Sequence, residues 1–484
     1  MGNVGLFIGA GASCELAMPL VWELTHEIKE WLTPDKLRSL NAGWKQQGGG
    51  YEDQVIEDCA NILTMPNLHY ESILGYLETQ FRRNNRRDDP YHGIYCRLIE
   101  IISYMLYERH VKNQDYILRN MKFFEGIRHL AEQNSPLWIF SLNHDLLIEC
   151  LAAHYSIPLS SGFTDDIVTL PRRNRAGVKI GELRAQVLTG EQLEKSSMSF
   201  LKPQTTGINL LKIHGALDVF TFRDGKDLLK LLPLSKDASV QGLLESLRAA
   251  NEELLYVDGN SAHPVKTINE ITYADESGEM QFLRRTLLSG AYKYDKRVSQ
   301  VLPICLLNHF QSNLNHVSKL ICIGYGFGDE HINKIIRQWL EFSAKRSIEV
   351  VNPGIKDIPA SLLHISAQVT LTQSTMSDYL DSIAGIKREK SDGLVKQLGG
   401  WSRKQGDKEK SQSEFGEFLV QQQQERIKSI VDKIVALPRK GGDIDLSALG
   451  MTKEEFISKF LSENEMSIEG VLESFLKSRG LIKQ

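Results

Sequence analysis

A short apolar run, Val4-Gly5-Leu6-Phe7-Ile8, passes directly into a glycine turn, Gly9-Ala10-Gly11-Ala12-Ser13. No other feature narrows the fold as much. A buried strand that ends on glycines and feeds a helix is the opening unit of a parallel α/β sheet. Beyond the turn, Leu20, Leu24, Ile28 and Leu32 recur every four residues, the spacing of one apolar helix face. Pro19 suits the first turn of such a helix. The pattern then repeats: buried strands are predicted over Leu137–Phe140, Ile208–Ile213, Lys319–Ile323 and Ile348–Val351, with a weaker one at Val369–Leu371. A helix is expected after Asp145 and another over Glu330–Ala344. The alternation predicts a Rossmann-like parallel sheet.

Other stretches modify that plan. Residues 35–133 read as a mostly helical insertion, with apolar helical spacing over Tyr70–Phe81 and Tyr95–Val111 and a polar loop at Arg82–Asp89. Residues 160–205 read as polar and irregular, and 220–300 as a mixture without clear order. Lys, Arg, Gly, Ser and Gln crowd 386–413, which predicts a linker between a 1–385 catalytic domain and a small helical C-terminal region, 414–484. In that region Phe415–Val435 is partly amphipathic, Thr452-Lys453-Glu454-Glu455 is a capping box, and Ser467–Arg479 stops at Gly480. Its apolar residues fit a small autonomous bundle or an assembly surface equally well.

Composition excludes several classes. A 42% hydrophobic, 24% charged chain of 484 residues has ample material for a globular core. The net charge of −4 argues against direct nucleic-acid binding. Six cysteines, none in a C-x-x-C pair, argue against a zinc ribbon or a disulfide framework. No apolar run reaches membrane-spanning length. There is no basic leader with a cleavage site, and Leu6 stands where a myristoylation signal wants Ser or Thr. A cytoplasmic protein is expected.

Five turns that follow strands carry candidate chemistry. The backbone of Gly9, Ala10, Gly11, Ala12 and Ser13 could approach a diphosphate, and it equally fits a plain strand–helix turn. Asn143 could hold a ribose hydroxyl or a water; Asn143 and Asp145 also suit helix caps. His214, at the end of a strand and before Gly215, has the chemistry of a general base or of a structural turn residue. Gly324-Tyr325-Gly326-Phe327-Gly328-Asp329 suits a phosphate or an adenosine, or an ordinary βα loop. Asn352, before Pro353, could bond a ribose or start a turn.

In that order, the set resembles the sirtuin-like NAD-hydrolysing family, above all its bacterial antiphage-defence branch. The resemblance covers about residues 1–385. It implies a catalytic set of Asn143, His214 and Asp145, with Asp145 on the nicotinamide carboxamide. It also implies NAD contacts from Gly9–Ser13, Gly324, Tyr325, Gly326, Phe327 and Asn352. The implied reaction is glycohydrolase cleavage of NAD to nicotinamide and ADP-ribose, with NAD as substrate and neither metal nor cofactor needed. Defence by abortive infection is implied too, with a homo-oligomer and a HerA-type ATPase or an Argonaute as partner. Two other functions are open: nucleotide sensing without turnover, and protein deacylation or ADP-ribosyl transfer. The chain lacks the deacylases' zinc ribbon and their Asp-Phe-Arg triplet, and Leu142 replaces the usual Gln before the Asn. Phe7 and Trp22 are expected either to wall the pocket or to join the core.

Overall fold

The run Val4–Ile8 carries no charge and has no face to turn toward water, so the strand it forms belongs at the centre of a sheet. The computed structural model describes residues 3–84, 89–223, 225–235, 239–259, 263–290, 292–294, 301–404, 408–463 and 467–482. Contacts divide them into two units, Met1–Ile386 and Lys387–Gln484. The strands of the first unit are β1 (Val4–Ile8), β2 (Leu137–Ser141), β3 (Leu159–Ser160), β4 (Ile167–Arg173), β5 (Lys179–Leu188), β6 (Ile208–Lys212), β7 (Val219–Phe222), β8 (Asp227–Leu231), β9 (Glu270–Ala274), β10 (Met280–Arg285), β11 (Lys319–Ile323), β12 (Ser347–Val351) and β13 (Val369–Thr372).

Seven of them form a parallel sheet in the order β13-β12-β11-β1-β2-β6-β3, a mixed α/β, Rossmann-like architecture. Side chains alternate across it. Leu6 and Ile8 enter one core with Ile139, Leu210 and Ile323, while Phe7 enters the other with Phe140, Leu211 and Val350. From β1 the chain builds outward on one side through β2 and β6 and on the other through β11, β12 and β13. The order therefore reverses between β1 and β11. In open α/β sheets, ligands lodge outside the carboxyl ends of strands at such a reversal.

Between β1 and β2 the chain is helical, with helices Val21–Trp31, Pro34–Gln46, Asp53–Thr64, Tyr70–Asn84, Pro90–Lys112, Gln114–Asn120 and Gly126–Gln133. The loop expected at Arg82–Asp89 is shorter, since the helix runs on to Asn84; residues 85–88 lie outside the described residues. The helix expected to carry Leu20, Leu24, Ile28 and Leu32, with Pro19 in its first turn, begins two residues later than Pro19. Two 3₁₀ turns, Ala10–Ala12 and Cys14–Leu16, come first, and the helix starts at Val21 with Leu20 as its N-cap.

The stretch 160–205 is not irregular. It holds β4 and β5, part of a six-stranded antiparallel sheet, β4-β5-β8-β7-β10-β9. In β5 only Leu183, Ala185, Val187 and Leu188 turn inward, with charged or polar residues between the first three, so the strand reads as polar. β4 bonds only β5 and tolerates Pro171 because an edge strand leaves one N–H row unpaired.

The expected linker 386–413 is corrected as well: helices Lys390–Lys404 and Lys408–Val435 occupy most of it, and 405–407 lie outside the described residues. Polar composition concealed them because each buries few residues. Phe475, on the helix Ile468–Ser478, is fully buried, with the rings of Trp401, Phe415 and Phe418 at 4.9, 5.0 and 5.1 Å. The Thr452 capping box is formed, with Thr452 N–H donating to Glu455 and Glu455 N–H donating to the Thr452 hydroxyl. No helix among the described residues is long and apolar enough to cross a membrane.

Candidate active site

The five motif turns follow five adjacent strands, β12, β11, β1, β2 and β6, and so share one carboxyl edge of the parallel sheet. Gly9 N–H donates to Ile323 O and Gly11 N–H to Gly324 O, which ties the first turn to the fourth. The glycines serve that contact. A Cβ on Gly9 would stand 2.6 Å from Gly324 O, and one on Gly324 would stand 2.2 Å from Ala12 N. The N–H groups of Ala12 and Ser13 are spent on Gly9 O and Ala10 O inside the 3₁₀ turn. The N–H groups of Gly9, Gly11, Ala12 and Ser13 thus all bond protein. Gly326 and Gly328 differ, for a Cβ on either meets nothing within 4 Å.

Asn143 follows β2. Its Nδ2 donates to Gly9 O at 3.0 Å and to Ser13 Oγ at 2.9 Å, and both it and Ser13 are buried. A carbonyl oxygen only accepts, so these bonds fix which way the amide points. Its Oδ1 has no hydrogen-bond partner among the described residues and is presented as an acceptor. Asp145 Oδ1 accepts from Leu147 N–H at 3.0 Å, a local bond just ahead of the helix Leu147–His154, whose N-cap is Leu146. Asn352 Oδ1 accepts from Gly354 N–H at 2.9 Å, the turn-starting use. Tyr325 packs in the core on Phe7 and donates its hydroxyl to Asn333 at 2.8 Å. Phe327 lies against Tyr325 with a left-handed φ of 55°. Phe7 is fully buried core, whereas Trp22 is 54% exposed and lies outside the core.

His214 is buried, and its Nε2 faces His331 Nε2 at 3.2 Å. Burial and the nearby Lys293 ammonium push its pKa well below the ordinary imidazole value, so the ring is neutral. Burial likewise holds His331 at about 4 and His144 at about 3. Asp329 sits among them. Burial works against its charge, but Lys293 outweighs that and holds its pKa at about 2. Lys293 Nζ bonds Glu71 at 2.6 Å and Asp329 at 3.0 Å. Tyr294 donates its hydroxyl to Ile213 O, and Leu288 N–H donates to His214 O, so Leu288 and Tyr294 both pack on the end of β6.

Several residues that sequence reasoning did not assign hold the site. Lys212 Nζ donates to the carbonyls of Asn143 and Asp145 and lies 3.5 Å from Glu149. With Lys230 and Asp218 it completes a buried quartet of two cations and two anions. Burial opposes ionisation of Glu149, and Lys212 and Lys230 overcome it. His110, near the end of the helix Pro90–Lys112, accepts from Leu146 N–H at 3.1 Å. Asp329 and His331 stand beside the glycines of the fourth turn, a visible signal. Lys293 and His110 carry none, because only tertiary packing brings them in.

No protein-family model matches the chain, and no curated protein does. Among solved structures, 28 chains match. One is a Sir2 in complex with the inhibitor EX-527, 2′-O-acetyl-ADP-ribose and a deacetylated p53 peptide. It is 8% identical, aligned over 79% of this chain and 94% of its own, with a TM-score of 0.27. A likeness at that score carries no argument for fold or chemistry.

Proposed function

We propose that this chain is a sirtuin-like NAD glycohydrolase: NAD⁺ and water give nicotinamide, ADP-ribose and a proton. The observation that carries the reading is Asn143. Two donor bonds hold its amide against the first turn and leave Oδ1 as a fixed acceptor at the edge of the parallel sheet. A fixed acceptor orients a water or a ribose hydroxyl without reorganising during the reaction. As the N-glycosidic bond breaks through an oxocarbenium-like sugar, the attacking oxygen loses a proton. His214, neutral through burial, has a lone pair to take it directly or through the ribose. Asp145 grips the carboxamide with the oxygen that does not bond Leu147. Gly326 and Gly328, with open space above them, receive the adenosine half. The biological setting proposed is antiphage defence by NAD depletion, in an oligomer held silent until a HerA-type ATPase or an Argonaute partner, or self-assembly, releases it.

The test is nicotinamide release from NAD alone, measured by chromatography with and without an acyl-peptide. Release without peptide is expected, falling roughly 10²–10⁴-fold in Asn143→Ala and His214→Ala. Wild-type rates in both folded variants would remove the site assignment, and release that requires the peptide would replace hydrolysis by deacylation.

A further inference from the structure

We infer that His214, His331 and Asp329 form a binding site for one divalent transition-metal ion of the zinc class. Their donor atoms all lie within 4.8 Å of one another. The two Nε2 atoms are 3.2 Å apart. At that distance one ring donates its Nε2 proton to the other, so a cation bound here takes the place of the proton the two rings share. Around a tetrahedral ion with bonds of about 2.0–2.1 Å, neighbouring ligand atoms stand roughly 3.3 Å apart, so this pair already has nearly the required span.

Asp329 points the same way. It is the N-cap residue of the helix Glu330–Glu341, yet its side chain makes no capping bond. Its carboxylate turns to Lys293 and the imidazoles instead. Among the described residues, Lys293 balances only one of the two carboxylates it bonds, Glu71 and Asp329, which leaves one negative charge for an incoming cation. Two imidazoles and one carboxylate, with a fourth position open to water, make a set suited to zinc and its neighbours. Asp329 and His331 are partly exposed, so the ion has a way in. The site shares His214 with the proposed base. An ion there holds the lone pair that turnover needs, so zinc and hydrolysis exclude each other; this consequence, unlike the binding itself, rests on the NAD-hydrolase reading.

The experiment uses the full chain, stripped with a chelator and titrated with CoCl₂ under visible absorption and with ZnCl₂ by calorimetry. One equivalent is expected to bind, with four-coordinate cobalt bands and no thiolate charge-transfer band. His331→Ala and Asp329→Asn should each weaken it at least about 10²-fold with unchanged circular dichroism; His331→Asn serves if the alanine variant does not fold. Absence of a saturable site in folded wild type would overturn the inference. So would an unchanged site in the folded variants, or a thiolate band. Cobalt binding in a chain that never releases nicotinamide would support the metal site and count against the hydrolase reading alone.

Discussion

At Gly324 the backbone takes a left-handed φ of 65° while pressed against the first turn. An alanine there meets both conformational strain and the backbone of Ala12. Gly324→Ala should therefore cost roughly 2–5 kcal/mol, read as a lower urea midpoint, and should weaken NAD binding with it. Gly11→Val should do the same, since its Cβ would lie 2.8 Å from Gly324 Cα. Asp145→Asn separates two roles, because it keeps the acceptor that bonds Leu147. If Asp145 holds the carboxamide, turnover falls and ADP-ribose affinity by calorimetry stays the same. Buried histidines also set acid stability. Burial lowers the pKa of His110 from 6.5 to about 4 while it accepts the Leu146 N–H. Its folded pKa lies below its unfolded one, so stability is complete above about pH 6.5 and is lost as pH falls toward 4. Thermal melts at stepped pH read that loss, and a flat profile from pH 7 to 4 would contradict it. The sequence showed which glycines and polar residues end the strands. It did not show that the glycines face another loop, because that contact joins distant parts of the chain.

At the scale of elements, the last turn of the helix Pro90–Lys112 and the first turn of the helix Gln114–Asn120 grip both site loops. Arg109 donates to Ala17 O at 2.9 Å and pairs with Glu27, His110 takes the Leu146 N–H, and Tyr116 reaches Glu15 O. Arg109→Ala should lower kcat/KM for NAD cleavage by about 10–100-fold through loop misplacement, with little change in melting, since the pair is partly exposed. Lys212→Met should be harsher. It removes a buried cation and leaves Lys230 alone against both Glu149 and Asp218, a loss of roughly 3–5 kcal/mol. Periodicity made the parallel strands and long helices legible, because each buries a whole face. β5 and the helix Lys390–Lys404 escaped because they bury only a few residues among charges.

For the whole molecule, the described residues of Lys387–Gln484 show a long helix whose later turns expose Ile427, Val431 and Val435. Our reading of this unit is assembly. A cut at 414 would sever the helix Lys408–Val435, so the chain should end at Ile386. Light scattering should then show a smaller particle, while nicotinamide release per chain is retained; unchanged mass would exclude the assembly role. The register of the central sheet has a further consequence, in time rather than in space. β1 pairs with β11, Val4 beside Lys319, and the first turn is shaped by Gly324. At about 5–20 residues per second, a ribosome needs roughly 15–60 s to deliver that partner. Until then the first turn has Asn143 and β2 beside it but not the Gly324 backbone that shapes it, and on the NAD-hydrolase reading a nascent or prematurely terminated chain that stops short of β11 should release no nicotinamide.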